Sequence, residues 1–252
     1  MENALKPRCI NGGSVVQAAD SWRLNIPAGD RGMYRLAQLD DYVMLSRRHF
    51  HHVPPWKVSL QVKVSAPDLP GTWGFGLWND PFGFSLGFGR TEGRLPILPN
   101  TAWFFHASPP NWLAFRDEIP ARGFFGGSIK SPRLPSLVLV PALIALPLLA
   151  VRPISRLLRR LAGKIVQQDA IDISVDVTQY HEYSIEWLRE IIIYKIDGKS
   201  ILNTAISPYP PLGLVFWIDN QFAAWNPEGR LDYGTLENPA AGLEINSIEI
   251  NP

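Results

Sequence analysis

A single cysteine, Cys9, in a chain of 252 residues excludes an internal disulfide framework and any metal centre built on cysteines. A hydrophobic fraction of 46% is ample for a packed core, while 23 prolines, 20 glycines and nine tryptophans favour many short strands and turns over long helices. The length suits one large β domain or two small ones, and the formal charge of +1 says nothing until its distribution along the chain is known.

The first residues, MENALKPRC, have neither the basic region nor the apolar run of a signal peptide, so the expected location is the reducing cytoplasm. Residues 1–50 are poor in strand pattern apart from Ser21 to Ile26, SWRLNI. Arg47, Arg48, His49, His51 and His52 form a basic cluster whose spacing matches no recurrent metal-ligand pattern, so a solvated loop or strand edge is expected and no metal. Trp56 to Ser65, WKVSLQVKVS, alternates strictly, with Val58, Leu60, Val62 and Val64 on the inner face. The stretch Gly71 to Arg90, GTWGFGLWNDPFGFSLGFGR, reads as two adjacent strands joined by a turn at Asn79-Asp80-Pro81. In its second half Phe82, Phe84, Leu86 and Phe88 share one face, and Gly83, Ser85, Gly87 and Gly89 share the other. Glycines repeated within a strand point to close approach by a ring, another backbone or a ligand.

Thr101 to Ala107, TAWFFHA, is a further strand, and Arg122 to Lys130 could form a short one. Leu134 to Val151 is apolar apart from Ser136 and the prolines Pro135, Pro141 and Pro147. In the helix pattern of Ile154 to Gln168, Ile154, Leu157, Leu158, Leu161, Ala162 and Ile165 line one face, and Ser155, Arg156, Arg159, Arg160 and Lys164 the other. The β pattern resumes at Ile171, with Ile173, Val175 and Val177 alternating. Tyr183 to Trp187 and Ile191 to Ile196 read as paired strands, and Asp197-Gly198 as a hairpin turn. Leu212 to Asp219 is a buried strand and Leu243 to Ile250 a closing one.

The segment Tyr180–Leu202, YHEYSIEWLREIIIYKIDGKSIL, resembles the family-16 glycoside hydrolases and their concanavalin A-like relatives, which carry an H-x-Y-x-I-E-W strand followed by a strand ending in a D-G-K hairpin. Trp56–Val64 followed by Gly71-Thr72-Trp73 and Gly76-Leu77-Trp78, then Pro211–Asn220 and Glu244–Ile250, fit other passages of that family in the same order. The resemblance covers residues 56–90 and 170–252 and implies a two-sheet antiparallel jelly-roll sandwich with a ligand cleft on the concave sheet; the chain as a whole is read as one all-β domain, residues 1–252, with a helical insertion at residues 134–168. The family's catalytic strand, E-x-D-x-x-E, follows the passage matched by Gly71–Trp78. Here the best counterpart is Phe84-Ser85-Leu86-Gly87-Phe88-Gly89, and no E-x-D-x-x-E occurs anywhere in the chain. A retaining glycosidase needs two placed carboxyl groups, so the fold is kept and that activity rejected.

In this register Phe84, Leu86 and Phe88 would floor an apolar cleft; with the faces swapped they would be core, and both readings stand. Asp80, Asp219 and Asn220 fall at strand ends near the expected rim, with turn-capping as the plainer role. Glu186 is expected in a salt bridge. If chemistry exists, His106 is the best-placed base, with Asp117 and Glu118 close enough to orient it, so the candidate catalytic set is Asp80, His106 and Glu118. The candidate ligand-binding set is Trp73, Trp78, Asn79, Asp80, Phe84, Leu86, Phe88, Trp103, Trp217, Asp219, Asn220 and Trp225. No cofactor is implied.

Between Ile119 and Gln168 lie eight of the 24 basic residues and none of the 23 acidic ones, so the rest of the chain carries sixteen basic against 23 acidic residues. The apolar run is short and proline-broken for a spanning helix, and a single crossing would split strands of one sandwich across the bilayer. A peripheral anchor, with Arg152, Arg156, Arg159, Arg160 and Lys164 meeting anionic head groups, avoids that conflict; a lid or a subunit contact is the rival. Nucleic acid is not expected, because the basic face is one short helix. The leading function is binding of a hydrophobic or amphiphilic ligand, a glycolipid among them, at the membrane surface without glycoside hydrolysis. An enzyme acting on such a ligand (a cyclase, an isomerase or a divergent hydrolase) and a carbohydrate-binding module are the alternatives.

Overall fold

A computed structural model describes residues 5–81, 94–134 and 146–251. Two seven-stranded antiparallel sheets face each other. The first runs, in spatial order, β1 (Lys6–Ile10), β4 (Leu36–Asp40), β13 (Gly213–Asp219), β6 (Thr72–Trp78), β7 (Thr101–Ala107), β8 (Gly123–Lys130) and β9 (Gln167–Asp172). The second runs β12 (Lys199–Thr204), β11 (Ile192–Ile196), β10 (His181–Trp187), β5 (Trp56–Val64), β16 (Ala241–Asn251), β3 (Ser21–Ile26) and β2 (Ser14–Ala18). A separate hairpin, β14 (Gln221–Trp225) and β15 (Leu231–Thr235), follows β13, and a helix, α1 (Arg152–Ile165), precedes β9.

Period-two alternation builds the core between the sheets. Val58, Leu60, Val62 and Val64 of β5 point inward and are at most 3% exposed. They meet Trp73, Phe75 and Leu77 of β6, Phe104 of β7, Phe124 of β8 and Phe216 of β13. Burying each such side chain contributes about 1.5–3 kcal/mol. The Asp197-Gly198 hairpin has φ values of 50° and 75°, the left-handed pair that a two-residue turn between β11 and β12 demands. Glu186 of β10 lies 3.9 Å from Lys195 of the adjacent β11.

Several expectations are corrected. Residues 1–50 hold β1, β2 and β4 besides β3; β4 shows no alternation in sequence because all five of its residues are buried. The strand expected from Ile171 through Val177 begins earlier and ends at Asp172. Ile173 and Val175 are hydrophobic because the connecting segment packs on the open end of the core, tied down by Ile173 N donating to the Phe124 carbonyl at 2.8 Å. The helix ends at Ile165, with Gln167 and Gln168 already in β9. Both edges of β6 are filled over its whole length, by β13 and β7. The neighbouring strand read over 82–90 lies outside the described residues.

Candidate functional site

The strict alternation that fills the core also fixes what the first sheet shows on its outer face. Residues opposite one another in the ladder share a face. One row across the sheet reads Gln38, Trp217, Gly74, Phe105, Phe125 and Asp172; the next reads Asp40, Val215, Gly76, Trp103, Gly127 and Ala170. Trp78 and Thr101 begin a third. The face is therefore a mosaic of large rings and bare backbone. Trp217 lies down over Gly74: a Cβ built there would sit 2.7 Å from the indole. Tyr42 lies over Gly213 in the same way, at 2.3 Å. Glycine is unfavourable inside a strand, and at these two positions it makes room for a ring.

The rings form one connected cluster. Trp78 and Trp217 are parallel within 5° at 6.3 Å; Trp103 stands 5.9 Å from Trp217 and 4.8 Å from Phe105; Phe105 stacks on Phe125 at 5.6 Å. All these separations fall in the range of favourable aromatic contact. Trp78 and Trp103 are half-buried, whereas Phe105, Phe125 and Trp217 are buried in the cluster. A groove beside Trp103 and Phe125 has Leu113, Ala114, Ile119 and Pro120 as its outer wall.

Polar relays hold both indoles of the parallel pair. Trp217 Nε1 donates to Thr72 Oγ1 at 2.9 Å, and that hydroxyl donates to Asp219 Oδ1 at 2.9 Å. The Tyr34 hydroxyl donates to Asp219 Oδ2 at 3.2 Å, and the backbone N–H groups of Thr72 and Gln221 complete the carboxylate's shell. Burial pushes the Asp219 carboxyl up to about 6, with these bonds opposing it. On the other side, Trp78 Nε1 donates to the Tyr42 hydroxyl at 2.6 Å, and Gln38 Nε2 donates to Asp40 Oδ2 at 2.7 Å. Burial raises the Asp40 carboxyl as well, and the backbone N–H groups of Tyr42 and Val43 occupy its other oxygen. The donors of both rings are spent, so their free surface is apolar.

The residues singled out in sequence land in different places. Trp78, Trp103 and Trp217 come together on this face. Trp73 does not: it points between the sheets and is 1% exposed. His106, opposite Trp73 in the ladder, points the same way and stacks on its indole at 5.3 Å. Burial lowers its pKa, and its Nε2 lies 3.3 Å from the Leu69 carbonyl, so it cannot serve as a base in the cleft. Asp117 and Glu118 do not orient it; they pair with Arg159 at 2.8 Å and Arg116 at 3.3 Å. Asp80 binds Arg94 at 2.5 Å and its carbonyl accepts from Arg47. Asn79 bridges to Leu98 and Asn100, while Asn220 bridges Arg35, Met33 and Leu236, so their side chains are used inside the fold. Trp225 is taken by α1, its Nε1 donating to Ser155 Oγ at 2.9 Å. Phe84, Leu86 and Phe88 lie outside the described residues. Of the basic cluster, Arg48, His49 and His51 are exposed as expected, but His52 is buried against Asp41 at 2.5 Å and the half-buried Arg47 cross-links the 79–80 and 95 carbonyls. Phe105, Phe125, Tyr42, Thr72 and Gln38 escaped sequence reading. The alternation of TAWFFHA carries the signal for Phe105, since any strand showing Trp103 outward also shows Phe105.

The counterpart of the family's catalytic strand, Phe84–Gly89, lies outside the described residues, and the strand beside β6 in the sheet is β7. Its outward residues are Thr101, Trp103, Phe105 and Ala107. The arrangement offers stacking surface, with Asp40 at one end of its rows and Asp172 at the other.

No family model matches the chain, and no curated protein matches it. Solved structures share its fold. A β-glucanase of Bacillus licheniformis aligns with a TM-score of 0.52 at 9% identity, covering 100% of this chain and 94% of that one. A Bacteroides ovatus mixed-linkage-glucan enzyme of family 16, in complex with an oligosaccharide product, aligns at 0.50 and 10% identity, covering 100% and 96%. LamAcat of Zobellia galactanivorans aligns at 0.50 and 13% identity, covering 94% and 80%. The chain is a concanavalin A-like jelly roll, folded like the family-16 glycoside hydrolases.

Proposed function

We propose that the outer face of the first sheet binds a hydrophobic or amphiphilic ligand, with a glycolipid as the chemistry that suits it best, and that it does so without hydrolysing glycosidic bonds. The observation that supports this is the composition of β7, which presents Trp103 and Phe105 outward beside Trp78 and Trp217. Indole and phenyl faces stack on the apolar faces of sugar rings and pack equally well on acyl chains. Glycosidic cleavage needs an acid and a nucleophile or base about 5–9 Å apart around the bond, and the buried carboxyls here, Asp40 and Asp219, are tied up in the fold. Bound glycan in the Bacteroides ovatus structure supports a sugar-bearing ligand in the coarse sense that this fold accommodates one.

The test is calorimetric titration with a matched set below micelle formation: octyl glucoside, glucose and octanol. Octyl glucoside should bind more tightly than either part alone. Equal binding of glucose and octyl glucoside would favour a pure carbohydrate module, and reducing-sugar release from β-1,3- or β-1,4-glucan would overturn the non-hydrolytic reading.

A further inference from the structure

The helix α1 is turned the opposite way to a helix that covers a core. Its inward side chains are Ser155 and Arg159, 0% and 4% exposed. Arg159 is fully bonded within the fold: Nε donates to the Trp225 carbonyl at 2.8 Å, Nη2 to the Ala114 carbonyl at 3.0 Å, and Nη1 meets Asp117 at 2.8 Å. Gly163 lets the helix close onto the Phe115 carbonyl, 3.0 Å from where a Cβ would stand. This corrects the expected role of Arg159, which is an internal clamp and not part of a free basic face.

The apolar residues are outside. Ile154, Leu157, Leu161 and Ile165 are 36%, 56%, 44% and 50% exposed, and Leu148 and Val151 just before the helix are exposed as well. At about 100° per residue these four helix positions form one stripe, and Arg152, Arg156, Arg160 and Lys164 form a second stripe beside it. All four cations are exposed, and none has an ion-pair partner among the described residues. Spaced four apart, they destabilise one another in water.

We infer that the outer face of α1 is a docking surface for an anionic lipid bilayer. Charge complementarity and polarity select that partner. The cation stripe finds its missing counter-charge in head groups, and the adjoining Leu and Ile stripe enters the acyl boundary at the same depth, the arrangement of a helix lying in the interface. Among the described residues no helix is long and apolar enough to cross a membrane. The Arg159 clamp joins the helix to the loop carrying Ala114 and Asp117, so docking would hold the groove wall at the bilayer. The inference stands without the ligand proposal, because it uses no residue of the aromatic face.

Co-sedimentation of the full chain with phosphatidylcholine–phosphatidylserine vesicles tests it. Binding should be strong at low salt and fall at high salt, with pure phosphatidylcholine bound far less. The triple variant R156E/R160E/K164E should partition at least ~100-fold more weakly at an unchanged melting temperature. L157S/L161S, which removes apolar contact only, should bind at least ~10-fold more weakly to the same vesicles. Absence of binding by the unmodified protein at low salt would overturn the inference. So would binding that survives the charge reversal, or a dimer in solution that L157S/L161S converts to monomer while vesicles are ignored.

Discussion

The two faces of the first sheet come from the same strands and are almost equally aromatic, yet they are built on different terms. The inner face sets Trp73, Phe75, Phe104, Phe124 and Phe216 against the aliphatic chains and the Tyr183 and Tyr194 rings of the second sheet, with no glycine needed under them except Gly126 beneath Phe104. The outer face sets Trp78, Trp103, Phe105 and Trp217 on or beside Gly74, Gly76 and Gly127, and ties its indoles to Thr72–Asp219 and Tyr42. Aromatic content therefore does not separate core from site in a β-sandwich. What separates them is whether rings are seated on glycine and anchored at their polar edge, leaving an apolar surface with fixed orientation.

The largest expected effect is on the inner face. Phe104, fully buried among Phe75, Tyr183 and Tyr194, should cost about 3–5 kcal/mol of stability when changed to alanine, measured by chemical denaturation. Trp103→Ala, its neighbour in sequence with the opposite orientation, should cost less than half of that. Equal losses would erase the distinction between the faces. Gly74→Ala should come next, at about 1–3 kcal/mol, because its Cβ meets both the Phe104 carbonyl at 2.5 Å and the Trp217 ring, and it should also weaken ligand binding by lifting the indole.

Protonation of Asp219 gives a comparable effect with a definite sign. Its folded-state pKa is raised from 3.8 to about 6, so between these values the folded state holds a proton that the unfolded state has lost. Stability contributed by this group is present in full below pH ~4 and falls by about 2–3 kcal/mol as pH rises through 6, after which it is flat. Asp219→Asn should remove that slope while keeping the acceptor for Thr72. An unchanged slope in the variant would show that another group titrates.

The jelly roll is readable in sequence wherever one face is dry and the other wet, as in WKVSLQVKVS, or where a turn is chemically forced, as at Asp197-Gly198. It is unreadable at β4, because LAQLD is buried on both faces and its Gln38 and Asp40 belong to the outer network. The site is half readable. TAWFFHA announces a strand, but the parity that sends His106 inward and Trp103 outward is set by register with β6, which a single sequence does not contain. The same holds for α1: periodicity predicts an amphipathic helix, but not that Ser155 and Arg159 face the fold while the leucines face out.

The smallest structural effect should accompany the most specific functional one. Trp103→Ala removes a half-buried ring from the centre of the outer face and leaves the inner face intact. Titration of octyl glucoside into this variant and the unmodified protein, alongside thermal melts of both, tests the central claim most directly. Binding should weaken by about 2 kcal/mol, roughly 30-fold, with a melting temperature that moves by only a few degrees. Undiminished binding by a folded Trp103→Ala protein would contradict the claim.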